Sequence, residues 1–179
     1  MVESADGNTL YVAAYEFFVS IDVSDKDNPI QNYSVGTGGL YSWDIVLSSD
    51  EQTAFLASGS YVKIYDISDP LQAVLITDFV SSGDNDDDGT TDGTARSLRI
   101  SADGNTLYVA NGGEGTRIID ISDVSSPQLM GYVISDNFVF GLAMSADGTM
   151  IYSSSSGELQ TINVTDPQNP ELIRAIPSV

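Results

Sequence analysis

The chain has 179 residues, 41% of them apolar, with 26 Asp plus Glu against 6 Lys plus Arg and a formal net charge of −20. That length can enclose one domain with its own core, and so acidic a field opposes nucleic acid and anionic lipid, so neither is an expected partner. The absence of Cys and His excludes a disulfide framework, thiolate chemistry, a Ser-His-Asp triad and the commonest zinc ligand.

The chain opens Met1-Val2-Glu3-Ser4-Ala5-Asp6-Gly7, with neither a basic nor an apolar leader region. No signal peptide is therefore expected within it, as for a cytosolic protein or the mature part of a secreted one. No apolar run approaches the ~18 residues that a membrane-spanning helix needs, so no membrane insertion is expected.

Ser-Ala-Asp-Gly at 4–7 returns at 101–104 and 145–148, with Ser-Ser-Asp-Glu at 48–51. A second mark follows each copy: Ile21-Asp22-Val23-Ser24-Asp25, Tyr65-Asp66-Ile67-Ser68-Asp69, Ile119-Asp120-Ile121-Ser122-Asp123 and Ile162-Asn163-Val164-Thr165-Asp166. The two marks keep step, which gives four units of about 44 residues, a period typical of solenoids, propellers and arrays. The unit limits fall near 1–38, 39–83, 94–136 and 137–179, with an insertion at 84–93.

Each unit reads as strands. In the third, short β-branched and aromatic runs bounded by turn residues predict strand A at 97–101, B at 106–111, C at 116–122 and D at 128–134. Asp-Gly between A and B signals a tight hairpin turn. Pro29, Pro70, Pro127 and Pro170 lie between C and D, where a missing N–H costs the ladder nothing. Four strands in a meander every 44 residues match a propeller blade, so the expected class is an all-β propeller of four-stranded antiparallel blades. The repeated Asp residues are expected to shape turns and strand ends by binding local backbone N–H groups. The first unit keeps only the end of its strand A, and residues 171–176 read as a final strand D. A compact four-bladed ring and a segment of a larger propeller both remain open.

The insertion reads Asp84-Asn85-Asp86-Asp87-Asp88-Gly89-Thr90-Thr91-Asp92-Gly93. Hard cations take six to eight oxygen ligands on a tight loop, and alternating carboxylates can converge while a glycine turns the chain. The pattern predicts one Ca2+ ion held by Asp84, Asp86, Asp88, the Thr90 carbonyl and Asp92. The starts of strand A bring unlike residues to equivalent places: Trp43-Asp44, Arg96-Ser97 and Phe140-Gly141. In a propeller these ends border the central channel, so Trp43, Asp44, Arg96 and Phe140 are candidate ligand or partner contacts. Phe17-Phe18 and Phe138-Val139-Phe140 are expected in the core between blades.

Thr116-Arg117-Ile118-Ile119-Asp120-Ile121-Ser122-Asp123, followed by Pro127-Gln128-Leu129-Met130-Gly131, resembles the LVIVD-repeat family of bacterial β-propellers. Leu107-Tyr108-Val109-Ala110-Asn111 is similar to the related YVTN-type repeat. The resemblance implies a surface or secreted propeller of binding role, in an extracellular or cell-surface setting. The acidic insertion is similar to the calcium loops of integrin-type propellers; it departs from an EF-hand at its twelfth position, Ala95. Two functions follow as expectations. One is a non-enzymatic scaffold, stabilised by calcium, for a protein or glycan partner or for further repeats of the same polypeptide or a neighbouring subunit. The alternative is a metal-dependent propeller hydrolase or lactonase, for which Asp44 is the best-placed carboxylate.

Overall fold

The computed structural model describes residues 1–69, 71–81 and 93–177. Among them there are sixteen strands and no helix. The first sheet is β1 (Val2–Glu3), β2 (Thr9–Ala14), β3 (Phe17–Asp22) and β4 (Ile30–Gly36). The second is β5 (Ser42–Leu47), β6 (Thr53–Ser58), β7 (Tyr61–Asp66) and β8 (Val74–Val80). The third is β9 (Ser97–Ile100), β10 (Thr106–Ala110), β11 (Thr116–Asp120) and β12 (Gln128–Val133). The fourth is β13 (Val139–Met144), β14 (Met150–Ser155), β15 (Glu158–Asn163) and β16 (Glu171–Pro177). Each sheet is an antiparallel meander in chain order, and the four are the blades of a β-propeller.

The repeated Ser and Asp build the hairpin between the first two strands of each blade. Ser101 Oγ donates to Asp103 Oδ1 (2.5 Å), Asp103 accepts the Asn105 N–H (3.1 Å), and Ser101 Oγ accepts the Thr106 N–H (3.0 Å). The same three bonds recur at Ser4, Ser48 and Ser145. The Asp of the second mark closes the third strand. Asp22, Asp66 and Asp120 each accept a backbone N–H two residues on at 2.9 Å, and Asn163 does so at 3.0 Å. A β-bulge interrupts the pairing of third and fourth strands in all four blades. It adds twist at the outer edge.

The first strands lie innermost. β5, β9 and β13 stand side by side, and the blades pack mainly through their first and second strands. Three apolar clusters fill the gaps between consecutive blades. Tyr11, Phe18, Ile45, Leu56 and Tyr65 join the first blade to the second; Phe55, Ile64, Leu98, Leu107 and Ile119 join the second to the third; Tyr108, Ile118, Leu142, Ile151 and Ile162 join the third to the fourth. The inner blades are covered on both faces, so β6 and β10 are buried almost throughout. Each Leu, Ile or Phe enclosed in this way contributes roughly 1.5–3 kcal/mol over exposure. The end blades are covered on one face alone, and β14 alternates between buried and exposed positions. Among the described residues no substantial contact joins the fourth blade to the first. The four blades form an open arc, not a closed four-bladed ring.

Phe18 and Val139 lie in the interblade core as expected, but Phe17 and Phe140 project into solvent. Alternation along β3 and β13 turns each of this pair to the face opposite its buried neighbour.

Candidate functional site

The turns between second and third strands lie beside the start of the next blade's first strand. Two isolated bridges, Tyr15 to Ser42 and Gly112 to Val139, tie these segments together. One row of side chains runs along this end of the arc. Tyr15 stacks on Tyr41 with ring centroids 4.1 Å apart, and Tyr41 meets Trp43 edge to face at 6.5 Å. The Arg96 guanidinium lies 3.9 Å from the Trp43 ring centroid and 5.2 Å from that of Phe138. Phe138 in turn meets Phe140 at 4.9 Å. The row therefore crosses from the first blade to the fourth, and Tyr15, Tyr41, Trp43 and Phe140 are exposed.

Arg96 is the keystone of the row. Its Nε is buried without a hydrogen-bond partner, and burial lowers the guanidinium pKa from its ordinary value. A cation sandwiched between two aromatic faces gains about 0.5–2 kcal/mol from the ring quadrupoles, which offsets part of that desolvation. Phe138 reaches Arg96 because Gly112, at φ +58°, leaves room: a Cβ there would lie 2.8 Å from the Phe138 ring.

Tyr15 sits at φ +58°, in the place that Gly59 (φ 57°) holds in the second blade. A bulky residue in the left-handed region carries strain of order 1 kcal/mol, and such strain concentrates at functional positions. The neighbouring Tyr41 hydroxyl also raises the pKa of the Tyr15 phenol.

Of the four channel residues expected from sequence, three belong to this row. Trp43 and Arg96 are in direct contact, and Phe140 joins through Phe138. Asp44 stands apart. A bulge between Ser42 and Asp44 turns its carboxylate toward the third blade. There Oδ2 accepts the Leu98 N–H (2.9 Å) and Ser97 Oγ (3.1 Å), with Arg99 at 3.6 Å, while Oδ1 accepts the Ile45 N–H (2.9 Å). Asp44 is a clamp between the second and third blades. Tyr15, Tyr41 and Phe138 escape a reading of one sequence, since they join the row only through packing between blades. The one available signal is Tyr15, an aromatic where the next repeat has Gly.

The calcium ligands expected from sequence, Asp84, Asp86, Asp88, Thr90 and Asp92, lie outside the described residues. The described flanks anchor firmly. The Ala95 N–H donates to the Gly59 carbonyl (2.8 Å). Ser81 Oγ donates to Asn111 Oδ1 (2.8 Å), and Asn111 Nδ2 donates to the Ser81 carbonyl (3.0 Å) and to Glu114 Oε2 (3.0 Å). The insertion thus leaves and re-enters the fold between the second and third blades, with Arg96 one residue beyond Ala95.

The profile of the LVIVD repeat family matches residues 4–37 and 92–135. No curated protein sequence matches the chain. Among solved structures, the periplasmic gluconolactonase of Pseudomonas aeruginosa superposes with a TM-score of 0.78 at 15% identity, over 97% of this chain and 55% of its own. A putative 6-phosphogluconolactonase of Bacteroides fragilis does so with 0.78 at 12% identity, over 98% and 56%. The Swd1 β-propeller domain of Myceliophteria thermophila gives 0.74 at 14% identity, over 95% and 55%. The chain spans about half the length of these structures, and identities this low speak for fold alone. Repeat marks, sheet order and these likenesses agree that the chain is a β-propeller of four repeated units, of which the first and third match the LVIVD repeat.

Proposed function

We propose that the chain is a non-enzymatic interaction module that binds a glycan along the aromatic row. One observation carries this reading: exposed rings from the first, second and fourth blades, bridged by Arg96 of the third, line one rim, with Tyr15 held in a strained backbone conformation to join them. A protein hot spot usually gathers its aromatic anchors in a central patch ringed by sealing contacts. A continuous strip of contacting rings along a rim suits instead the apolar C–H faces of an extended sugar chain, with nearby carboxylates as acceptors for hydroxyls. The net charge of −20 favours a neutral glycan over a polyanionic one. Trp43 is the only Trp, so it reports binding directly. Neutral oligosaccharides of increasing length should change its fluorescence, and Tyr15→Gly and Tyr41→Ala should weaken that response while leaving the fold intact. If neither neutral oligosaccharides nor soluble neutral polysaccharides perturb Trp43, glycan binding at this rim is refuted.

The reading includes a structural Ca2+ ion in the 84–92 insertion and an extracellular or cell-surface setting. The support for calcium is the order of acids and glycine in the sequence. Calcium should raise the thermal midpoint, by mass action, more than magnesium or equal ionic strength of sodium chloride does. Asp86→Ala/Asp88→Ala should remove that difference.

A second reading, a metal-dependent lactonase, is favoured by the names of two fold neighbours. It needs a free carboxylate near the channel, and Asp44 already bonds to the third blade. Gluconolactone hydrolysis above the spontaneous rate, lost in Asp44→Asn, would establish it over the binding role.

A further inference from the structure

Trp43, Arg96 and Phe140 hold one equivalent place in the second, third and fourth blades. The register shows it, since the residues that follow them, Asp44, Ser97 and Gly141, pair with Ala57, Ala110 and Ser154. Two of these blades present an exposed ring at that place. The third presents a cation. Its backbone is fixed from both sides of the junction: the Ala95 N–H donates to the Gly59 carbonyl and the Arg96 N–H to the Ala110 carbonyl, each at 2.8 Å.

The chain has only 6 Lys plus Arg, and three of them are paired. Lys63 meets Asp78 at 3.4 Å, Arg99 meets Asp44 at 3.6 Å and Arg117 meets Glu114. Lys26 and Arg174 stand exposed. Arg96 is partly buried, yet among the described residues no carboxylate forms an ion pair with it. The rings of Trp43 and Phe138 take up the faces of its guanidinium, and Nε is enclosed. What remains for a ligand is the edge that carries the terminal N–H groups. That edge donates and cannot accept. Its planar fork matches the two oxygens of one carboxylate better than a single hydroxyl.

We propose that Arg96 selects a glycan with a carboxylate on one sugar inside the chain, an acidic sugar flanked by neutral ones. The inference rests on the glycan reading of the row and names a sugar class which that reading leaves open. The flanking sugars follow from position. Arg96 lies between the Tyr15, Tyr41 and Trp43 rings on one side and the Phe138 and Phe140 rings on the other. The single carboxylate follows from charge. Among the described residues Arg96 is the one cation in the row, so a second carboxylate would find no partner there. The field of −20 opposes each added negative charge. It is screened beyond about 8 Å at physiological salt, whereas the contact with Arg96 is made at hydrogen-bond distance.

Trp43 fluorescence tests this, since the Arg96 guanidinium rests on that ring. Tetrasaccharides of glucose, mannose and galactose are each compared with the same chain oxidised to a carboxylate at the primary alcohol of one internal sugar, and with the methyl ester of that acid. Acid and ester differ by one charge and little in shape. The acid should bind roughly tenfold tighter than its ester, the gain expected of a charge-assisted contact. Arg96→Gln should bring that ratio close to one, whatever it does to affinity as a whole, and Arg96→Lys should keep only part of it. Equal affinity for acid and ester, or a ratio that survives Arg96→Gln, would overturn the proposal and leave a site for neutral glycans standing. A Trp43 signal unmoved by every sugar, acidic or neutral, would overturn this inference together with the glycan reading. The ratio on the wild-type chain decides the question even if a variant fails to fold.

Discussion

At Asp147 three donors meet one carboxylate: Ser145 Oγ at 2.6 Å, the Thr149 N–H at 3.1 Å and Thr149 Oγ1 at 2.9 Å. Together they lower its pKa from 3.8 to about 2. A depressed pKa in the folded state makes the ionised form the stabilising one. The contribution is fully present above the unfolded value and is lost as pH falls through about 2. Asn163 makes a comparable turn without a charge, so Asp147→Asn should keep the fold and lose this titration. The stability gap between the native chain and Asp147→Asn should be constant above about pH 4 and change steadily toward pH 2; a flat gap would show that the turn is unmade in solution. Such roles were legible in the sequence because the residues repeat in step. The exception is Glu51, at φ +55° where the other three hairpins have Gly7, Gly104 and Gly148. Its side chain accepts the Ala5 N–H of the preceding blade at 2.7 Å, a tie that no single repeat reveals.

Strand limits in the third blade follow the sequence pattern to within two residues, because Asp-Gly and the Gly-rich turn punctuate them at fixed spacing. What the pattern concealed is Arg117. It sits in a strand that reads as apolar, is only 2% exposed, and pairs with Glu114 at 2.5 Å across the preceding turn. Its guanidinium also lies 5.0 Å from the Tyr132 ring centroid. Hydropathy records the strand and not the partner three residues earlier. Removing one member of a buried pair strands the other's charge. Glu114→Ala should therefore cost about 3–5 kcal/mol in denaturant unfolding. Arg117→Met added to it should recover most of that loss. If the single and double variants were equally unstable, Glu114 would act through Asn111 and Ser81 rather than through Arg117.

The propeller class and the blade count in this chain were legible because four copies of two motifs keep one period. The open arc was not, since closure depends on the curvature between blades, which no repeat encodes by itself. The aromatic row was likewise hidden, because its members come from four blades and meet only where turn and strand start converge. Among the described residues the substantial contacts run between consecutive blades, so an open arc behaves as a one-dimensional array whose stability is a sum of unit and junction terms. Opening should then begin at the ends and travel inward. In dilute low-salt solution, amide hydrogens of β6 and β10 should exchange slowest and those of β1 and β16 fastest, with a graded series between. Uniform exchange across all four blades would mean that they melt as one unit. Because within each blade every strand pairs with the next in sequence, the loops to be closed are short, and folding should be fast for an all-β chain. Such an arc could take shape blade by blade as it is made, each new blade using the last as its template.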